Sequence, residues 1–312
     1  MNQLPAAALT QFGRNLNNAV RNASDAAANG IAYPYPGFYG TVAGAIRQYP
    51  QVYGTGTIGN FGAPLGFGNY QSLQITVNRQ FAKGLTAYGS FTWSKNMTNT
   101  RSEQVGDNPG PLDYYNLKLE KSLAEFDQPR LLKAYATYEL PFGASGARWK
   151  KLLAGGWSVS AIVNYFAGTP LGFGGSTPLF GVWNGGQRAN IAAGPMTVPF
   201  DKSAFNLANT SASSNTYLNK SLYSDPAPLT LGTSAPRYAQ VRGFGTLNED
   251  IGLQKRFRIS EKYRFQLRAE FLNALNRHTL GGIITNVTSP LFGQVTGVGG
   301  NRQMQLGGRL DF

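Results

Sequence analysis

The sequence predicts an all-β protein, an antiparallel transmembrane β-barrel to which this chain contributes about seven strands as a curved, partial sheet. Three observations predict it. Several segments alternate apolar and polar residues, as strands do because successive side chains point to opposite faces. The connections between these segments are alternately short and long, which is typical of membrane barrels. The polar faces carry charges in mid-strand, where a packed core would not tolerate them.

The first two strands form a predicted hairpin. Residues 69–81 alternate, with Leu73 and Val77 on one face and Gln74 on the other. Residues 85–97 return with Phe91 and Trp93 on the apolar side. Between them, Ala82-Lys83-Gly84 is a short turn in which Gly supplies the left-handed position.

The next two strands are predicted at residues 123–140 and 152–169. In the first, Leu132, Ala134 and Tyr138 alternate with Lys133 and Glu139. The second carries its apolar residues at odd positions, and its other side is mixed. These apolar residues are Trp157, Val159, Ala161, Val163 and Tyr165.

The last three strands follow at residues 243–259, 262–275 and 300–312. The first two are joined by a tight turn at Ser260-Glu261. The final segment, GNRQMQLGGRLDF, alternates from Met304 onward and ends on an aromatic residue, Phe312. Alternation of this kind is also found in any half-buried strand of a soluble sheet.

The lengths of the connections predict the orientation of the strands. Short connections at 82–84, 141–151 and 260–261 fit periplasmic turns, and loops at 98–122, 170–238 and 276–299 fit the extracellular side. Residues 69–312 would then form the C-terminal part of the barrel. Residues 1–68 would form an extracellular-loop-like segment with a possible short helix, for which residues 4–28 show a weak helical pattern.

This arrangement assigns candidate sites on the two faces of the sheet. The lumen-facing candidates are Gln74, Lys133, Asp250, Arg268 and Glu270. The aromatic residues expected at the lipid interfaces are Trp93, Tyr138, Trp157, Tyr165 and Tyr263.

The number of charges on the polar faces favours a wide lumen, such as that of a 22-stranded transporter. The first and last predicted strands would run in the same direction, so they could not pair with each other as in an antiparallel barrel. An open sheet with unpaired edges at residues 70–81 and 302–312 is therefore expected.

Composition is consistent with this fold and excludes other classes. Only 14% of the 312 residues are charged, against about 25% in typical soluble domains. Gly (39) and Pro (17) are abundant, as in a turn-rich β protein, and cysteine is absent, which excludes a disulfide framework. The net charge is +13, but no basic helix or nucleic-acid-binding motif accompanies it, so no nucleic-acid partner is expected.

No constellation of residues predicts an enzyme, a cofactor or a metal site. Gly54-x-Gly56-x-x-Gly59 matches a dinucleotide fingerprint formally, but no helix pattern follows it. His278 is the single histidine and has no serine elbow to complete a triad. The loop acids Glu103, Asp107 and Asp113 lack calcium-loop spacing. We therefore expect no catalytic residue, no metal and no cofactor.

Several motifs resemble the barrels of Oar-like TonB-dependent receptors, which begin with a carboxypeptidase-regulatory-like domain and a plug. The similarity covers most of residues 69–312. The motifs are Asn69-Tyr70-Gln71-Ser72-Leu73-Gln74, Arg79-Gln80-Phe81-Ala82-Lys83-Gly84-Leu85, Phe91-Thr92-Trp93-Ser94-Lys95, Phe126-Asp127 with Arg130, Tyr138-Glu139-Leu140-Pro141-Phe142-Gly143, Gly155-Gly156-Trp157, Ala269-Glu270-Phe271-Leu272-Asn273 and Arg309-Leu310-Asp311-Phe312.

The resemblance implies a role and a set of partners. Such receptors import bulky nutrients across the outer membrane of Gram-negative-type cells, with energy coupled through TonB. The terminal strand resembles their assembly signal, which implies that Met304, Leu306, Leu310 and Phe312 engage the barrel-assembly machinery. Outer-membrane lipid would contact the barrel, and TonB would act only through an N-terminal plug. The sequence shows no plug, TonB box or signal peptide, so we expect a fragment of a longer receptor.

A second function remains open at this point. A secreted or surface β-sandwich that binds glycans would also contain alternating strands and aromatic side chains, which could stack on sugars. A packed sandwich, unlike a wide barrel, has no wet lumen for mid-strand charges.

Overall fold

The structure, a computed structural model, describes most of the chain. The described residues are 18–46, 50–52, 66–100, 112–113, 116–142, 153–175, 187–227, 230–260 and 262–312. Several sequence predictions fall outside these residues: the three glycines at 54–59, Glu103, Asp107, Glu261, most of the 141–151 turn, and residues 4–17 of the weakly helical segment.

Within the described residues, strands dominate and helices are short. The strands are β1 (Ala19–Val20), β2 (Gly40–Thr41), β3 (Gly68–Ala82), β4 (Leu85–Thr98), β5 (Ser122–Leu123), β6 (Arg130–Glu139), β7 (Trp157–Phe166), β8 (Pro170–Leu171), β9 (Asn190–Ile191), β10 (Tyr223–Ser224), β11 (Tyr238–Arg242), β12 (Thr246–Arg258), β13 (Arg264–Leu272), β14 (Thr279–Ile283), β15 (Val295–Gly299) and β16 (Gln303–Asp311). The α-helices are α1 (Ala23–Ala28) and α2 (Val42–Ala45), and 3-10 turns lie at Pro50–Val52, Leu117–Glu120, Lys202–Ala204, Ser213–Asn215 and Lys220–Leu222.

One antiparallel sheet contains all the long strands. Its order is β3-β4-β6-β7-β12-β13-β16, so strands that are neighbours along the chain are neighbours in space. The two-residue β5 pairs with the end of β4. Among the described residues β3 and β16 each pair on one side only, and the barrel is not closed. The predicted all-β class, the antiparallel sheet of about seven strands and its two open edges are confirmed.

The two-residue turn between β3 and β4 has the conformation expected from its sequence. Lys83 and Gly84 both adopt positive φ, 53° and 78°, as a type I′ turn requires. A Cβ atom on Gly84 would lie 2.9 Å from the backbone oxygen of Glu139 on the neighbouring strand. Glycine therefore satisfies both the dihedral angle and the close approach at this position.

The third strand is shorter than the sequence predicted. Instead of one strand over 123–140, the chain forms β5, then a turn, then β6 from Arg130. The Asp127 carboxylate in this turn accepts a hydrogen bond from the backbone N–H of Asn96, at 2.6 Å. Pro129 lacks the N–H that a ladder needs, and its carbonyl accepts from the N–H of Ser94.

The long connections carry more structure than the sequence predicted. The segment at 170–238 contains β8 to β10 and the start of β11, paired as β8 with β11 and β9 with β10, and the segment at 276–299 contains the β14–β15 hairpin. Near the start of the described chain, α1 is capped by the Asn22 side chain, which accepts from the N–H of Asp25. In the part of the chain that the structure describes, no helix has the length and apolarity needed to cross a membrane.

The buried hydrophobic residues lie in the connections rather than in the large sheet. One cluster contains Val20, Phe38 and Val42, and a larger one centres on Phe173, Tyr223 and other residues of the segments at 170–245 and 276–299. In contrast, none of the fully buried hydrophobic side chains in the described chain belongs to the seven long strands. A sandwich buries the inner faces of two sheets against each other. Because the described long strands contribute no buried hydrophobic side chain of this kind, the structure favours a barrel over a sandwich.

Candidate functional site

The register of the sheet divides its residues into two faces. Because directly opposed residues share a face, partners can be followed from strand to strand. Leu253 opposes Val159 and Ala269, and Ala269 opposes Leu306. We call this side the apolar face. Its members include Leu73, Ile75, Val77, Phe91, Leu132, Ala134, Val159, Ala161, Ile251, Leu253, Leu267, Ala269, Leu306 and Leu310.

The opposite side is the polar face, and the five lumen-facing candidates all lie on it. Asn164 opposes both Lys133 and Asn248, and Arg268 opposes Gln254 and Gly307. The polar face contains Gln74, Thr92, Lys133, Asn164, Asp250, Gln254, Arg268, Glu270, Gln305 and Arg309. The register therefore separates Lys133 and Arg268 from Leu253 and Leu267, as the alternating pattern predicts.

Charged residues on the polar face form separate local contacts. Arg268 pairs with Glu270 at 3.7 Å, and Gln305 donates a hydrogen bond to the same carboxylate. Asp250 accepts from the side-chain amide of Asn248 at 3.0 Å. The ammonium group of Lys133 lies 5.6 Å from the centre of the Phe166 ring. Exposed pairs of this kind stabilise little, but they give the face a hydrated, ion-rich surface.

The large side chains of the apolar face are exposed to an extent that would be unfavourable in contact with water. Val77 is 64% exposed and Leu306 is 87% exposed, and other large side chains on this face exceed 40%. Contiguous apolar surfaces of this size mark an interaction site or a lipid contact.

The aromatic candidates for the lipid interfaces lie at strand ends. Trp157 and Tyr138 are at the end of the short turns, where the Trp157 indole donates to the carbonyl oxygen of Leu153 at 3.1 Å. Trp93 and Tyr165 lie toward the other end of their strands, and Tyr263 directly precedes β13. In the terminal strand, Met304, Leu306, Leu310 and Phe312 are all exposed.

On β12, two charged residues lie on the apolar face, and the sequence analysis did not identify either. Lys255 opposes Trp157 and Leu267, yet it is only 2% exposed. Its ammonium group donates to the carbonyl oxygens of Leu153, at 2.9 Å, and Gly155. It also lies 5.2 Å and 5.0 Å from the ring centres of Trp157 and Phe257. The long apolar stem thus follows the face while the charge reaches the backbone of the turn, a snorkelling arrangement.

The second charged residue, Glu249, lies near the opposite end of β12. Its carboxylate accepts a hydrogen bond from the Tyr165 hydroxyl at 2.5 Å. The single Nε–H of Arg277 is shared between both carboxylate oxygens, each 2.8 Å away. The Glu249 side chain is 9% exposed and that of Arg277 is 40% exposed. The hydrogen bonds to Glu249 raise the pKa of Arg277 further above its ordinary value. This cluster ties the segment after β13 to the sheet.

Three ion pairs join the connection 112–129 to the connection 167–245. Glu120 pairs with Arg188 at 3.6 Å and is 1% exposed. The Asp127 carboxylate pairs with the guanidinium of Arg242 at 2.7 Å, and Glu125 pairs with Arg237 at 3.2 Å. Arg242 also donates to the carbonyl oxygen of Gly168. We call the described parts of 112–129, 167–245 and 273–302 the loop layer.

The loop layer has its own aromatic core. Phe173, Tyr223 and Phe292 come from distant positions, and their ring centres lie 4.6 Å (Phe173–Tyr223) and 5.1 Å (Tyr223–Phe292) apart. Burial raises the pKa of the Tyr223 hydroxyl well above its usual range, so the group stays neutral. Isolated bridges from Gly174 to Asn286 and from Thr216 to Gln294 join the connection 167–245 to the connection 273–302. The three connections therefore pack as one unit above the same end of the sheet.

A cavity of about 490 Å³ lies where the loop layer meets the apolar face. Its polar rim contains Lys202, Arg277 and His278, and its apolar lining includes Leu247 and Leu280. Beside it, Asp201 caps the 3-10 turn at 202–204, and hydrogen bonds from the Ser203 hydroxyl and backbone N–H lower the pKa of the Asp201 carboxyl. His278, for which the sequence offered no catalytic partner, is part of this cavity. Among the described residues, no group of three His, Cys, Asp or Glu side chains could hold a metal ion.

Comparison with known proteins identifies the family. The sequence model of the outer membrane beta barrel domain matches residues 7–305. No curated protein matches the chain. Two solved receptors are similar in structure at low identity. The ferric-catecholate import receptor Fiu from E. coli K12 in its closed form has a TM-score of 0.35 and 12% identity, and the match covers 95% of this chain and 23% of that receptor.

The second structure is FpvA of P. aeruginosa, solved as a complex with iron and a heterologous pyoverdine. It has a TM-score of 0.33 and 8% identity, and the match covers 78% of this chain and 19% of that receptor. This chain therefore spans about a quarter or less of the length of these receptors. The family match extends over nearly the whole sequence, and it agrees with the antiparallel sheet and its exposed apolar face. The chain belongs to the outer membrane beta barrel domain family and is located in the outer membrane.

Proposed function

We propose that this chain is the C-terminal part of the barrel of a TonB-dependent receptor that takes up bulky nutrients. The main support is the division of the sheet into an exposed apolar face and a charged polar face. In this proposal the apolar face contacts lipid and the polar face lines the lumen. Residues 69–312 form the barrel part and residues 1–68 an extracellular-loop-like segment.

The number and direction of the strands support a larger barrel. Six successive antiparallel pairings separate β3 from β16, so these two edge strands run in the same direction. Direct pairing of these edges would create a parallel seam, whereas bacterial single-chain barrels are antiparallel with an even strand count. We infer that further strands pair with both edges. A wide, water-filled lumen is then the environment in which Lys133, Asp250 and Arg268 remain charged without a desolvation cost.

The proposal includes three kinds of partner. The apolar face contacts outer-membrane lipid, the terminal strand contacts the barrel-assembly machinery, and an imported substrate passes the polar face. TonB acts through an N-terminal plug outside this sequence. In the proposed orientation the loop layer lies at the extracellular end of the sheet, so it is the part of this chain that a substrate would meet first.

Cysteine accessibility tests the facing directly, because the natural chain has no cysteine. Leu253→Cys and Gln254→Cys differ by one position and lie on opposite faces of β12. In outer membranes, a charged, water-soluble maleimide is expected to label the cysteine at 254 and leave the one at 253 unlabelled, because the lipid phase excludes charge. Labelling is read by the mass shift of the purified protein. Equal labelling at both positions, or labelling at 253 alone, contradicts the proposed barrel.

The terminal residue provides a second prediction. Phe312 is 93% exposed and contributes little packing in the described structure. Deleting Phe312 from the complete receptor should lower its amount in the outer membrane, since the proposed role is recognition during assembly. Immunoblots of fractionated membranes measure this effect, and the matched control is deletion of the exposed loop residue Ser211. Equal outer-membrane levels for the Phe312 deletion and the parent protein would contradict an assembly role.

A further inference from the structure

We propose that the cavity between the loop layer and the apolar face binds a phosphate-bearing lipid of the outer leaflet. This inference rests on the proposed function, because it requires the apolar face to contact lipid. The cavity is about 490 Å³, which is within the usual range of small-molecule sites, about 300–1,000 Å³. Its position and lining favour an amphiphile over a fully soluble ligand.

The position of the cavity follows from two of its residues. Leu247 belongs to the apolar face, since it opposes Tyr165 in the register, and it lies one residue inside the extracellular end of β12. Arg277 reaches the same face, because its Nε binds the carboxylate of Glu249. The cavity therefore opens at the level where the apolar face ends and the loop layer begins. In a barrel, this is the level of the lipid headgroups.

The lining has the polarity of a lipid headgroup site. Phe205, Leu247 and Leu280 provide apolar surface in the cavity. Lys202, Arg277 and His278 provide N–H donors at the rim. An acyl chain can lie along the first set while a phosphate accepts hydrogen bonds from the second, and hydrogen bonds from cationic donors to phosphate are among the stronger ones in proteins.

The nearby carboxylates accept hydrogen bonds from groups other than Lys202. Asp201 accepts from the hydroxyl and the backbone N–H of Ser203, at 2.7 Å and 2.9 Å. Glu249 accepts hydrogen bonds from the Tyr165 hydroxyl and, on Arg277, from the Nε. The Arg277 side chain is 40% exposed. The ammonium group of Lys202 lies 5.6 Å from the centre of the Phe244 ring, a weak contact at an exposed position. Lys202 and the exposed part of Arg277 therefore keep N–H groups that can donate to an anion.

The test measures lipid binding by the full chain extracted from outer membranes in neutral detergent. The probe is phosphatidic acid carrying a fluorescent acyl chain, followed by fluorescence anisotropy. Lys202→Gln and His278→Gln should each weaken binding, with about a tenfold loss for Lys202→Gln because it removes a charged hydrogen bond. Lys202→Arg should retain binding within about threefold, since it keeps the charge and the donors. Lys220→Gln, an exposed lysine outside the cavity, is the matched control and should bind like the parent.

Two further probes separate the possible sources of the signal. Inorganic phosphate should compete only weakly, and diacylglycerol, which lacks the phosphate, should bind much less tightly than phosphatidic acid. If inorganic phosphate displaces the probe as effectively as unlabelled phosphatidic acid, the site binds a free anion and the proposal is wrong. Equal affinity for diacylglycerol would show apolar contact alone and would also overturn it.

The cysteine-labelling experiment distinguishes a failure of the lipid site from a failure of the proposed barrel. If the cysteine at 254 is labelled and the one at 253 is not, the barrel stands, and unchanged lipid affinity in Lys202→Gln then overturns only the lipid site. If the cysteine at 253 is labelled, the apolar face does not contact lipid, and both proposals fail together.

Discussion

Replacing Arg277 with Met is expected to destabilise the folded protein by about 3 kcal/mol, because it leaves the Glu249 carboxylate without its cationic partner. Glu249 is on the apolar face and its side chain is 9% exposed, so water cannot solvate the stranded charge well. The hydrogen bond from Tyr165 remains but does not neutralise the charge. The expected loss of stability is at the lower end of the range for breaking a buried ion pair, because the Arg277 side chain is 40% exposed. Urea unfolding of the protein in lipid vesicles measures the effect.

Two variants control this prediction. Adding Glu249→Gln to Arg277→Met should restore most of the lost stability, because a neutral amide can accept from Tyr165 at a smaller desolvation cost. Arg309→Met removes an exposed pair with Asp311, whose side chains are 69% and 46% exposed, and should cost about 1 kcal/mol or less. If Arg277→Met costs no more than Arg309→Met, the Glu249 cluster does not stabilise the apolar face.

Much of the large sheet follows from local patterns in the sequence. Alternation with period two places Leu253 and Gln254 on opposite faces. The positive φ angles of Lys83 and Gly84 form the tight turn of the first hairpin, and a bulge between Arg79 and Ala82 then shifts the register by one residue. Since the seven long strands pair in sequence order, each pairing needs only its neighbour along the chain. The strand order and the approximate position of most long strands were therefore predictable without information about distant contacts, but the start of the third strand at Arg130 was not.

The apolar face shows where pattern reading fails. Lys255 and Glu249 interrupt the series of apolar residues on one face of β12, and the alternating pattern does not predict them. Their placement depends on groups far along the chain: the carbonyl oxygen of Leu153 for Lys255, and Arg277 for Glu249. A charge at an apolar position is a signal that can be read from sequence, but its partner is set by the register of other strands.

The loop layer could not be derived for a related reason. Its composition, rich in Gly, Pro, Ser, Thr and Asn, indicates only a loop, and its stabilising contacts join positions far apart in sequence. Phe173 packs on Tyr223, and Asp127 binds Arg242 across 115 residues. The sequence offered one partial signal: Asp127 lies in a motif that resembles the family, although its role in ending β5 and positioning β6 is evident only from its partners.

Replacing Leu267 with Arg is expected to destabilise the protein by about 2–4 kcal/mol, the cost of a cation on the lipid face near the midplane of the bilayer. Leu267 lies close to the middle of β13, on the apolar face, and it is 44% exposed. It directly opposes Lys255, so an arginine there would also face a like charge across the strands, which is unfavourable. The effect should therefore lie in the upper part of this range, measured by urea unfolding in vesicles.

Gln266→Arg is the matched control, because it places the same side chain one position away on the polar face. Gln266 opposes Arg256 and Arg309, so some like-charge repulsion is expected, but water in the lumen screens it and the cost should be well below that of Leu267→Arg. Repeating both measurements at high salt sharpens the comparison. Salt should reduce the repulsion at 266, since exposed charges are screened, and leave the cost at 267 largely unchanged, because that cost is mainly desolvation. Equal losses at the two positions, with equal salt dependence, would mean that the two faces meet the same environment, which no transmembrane barrel allows.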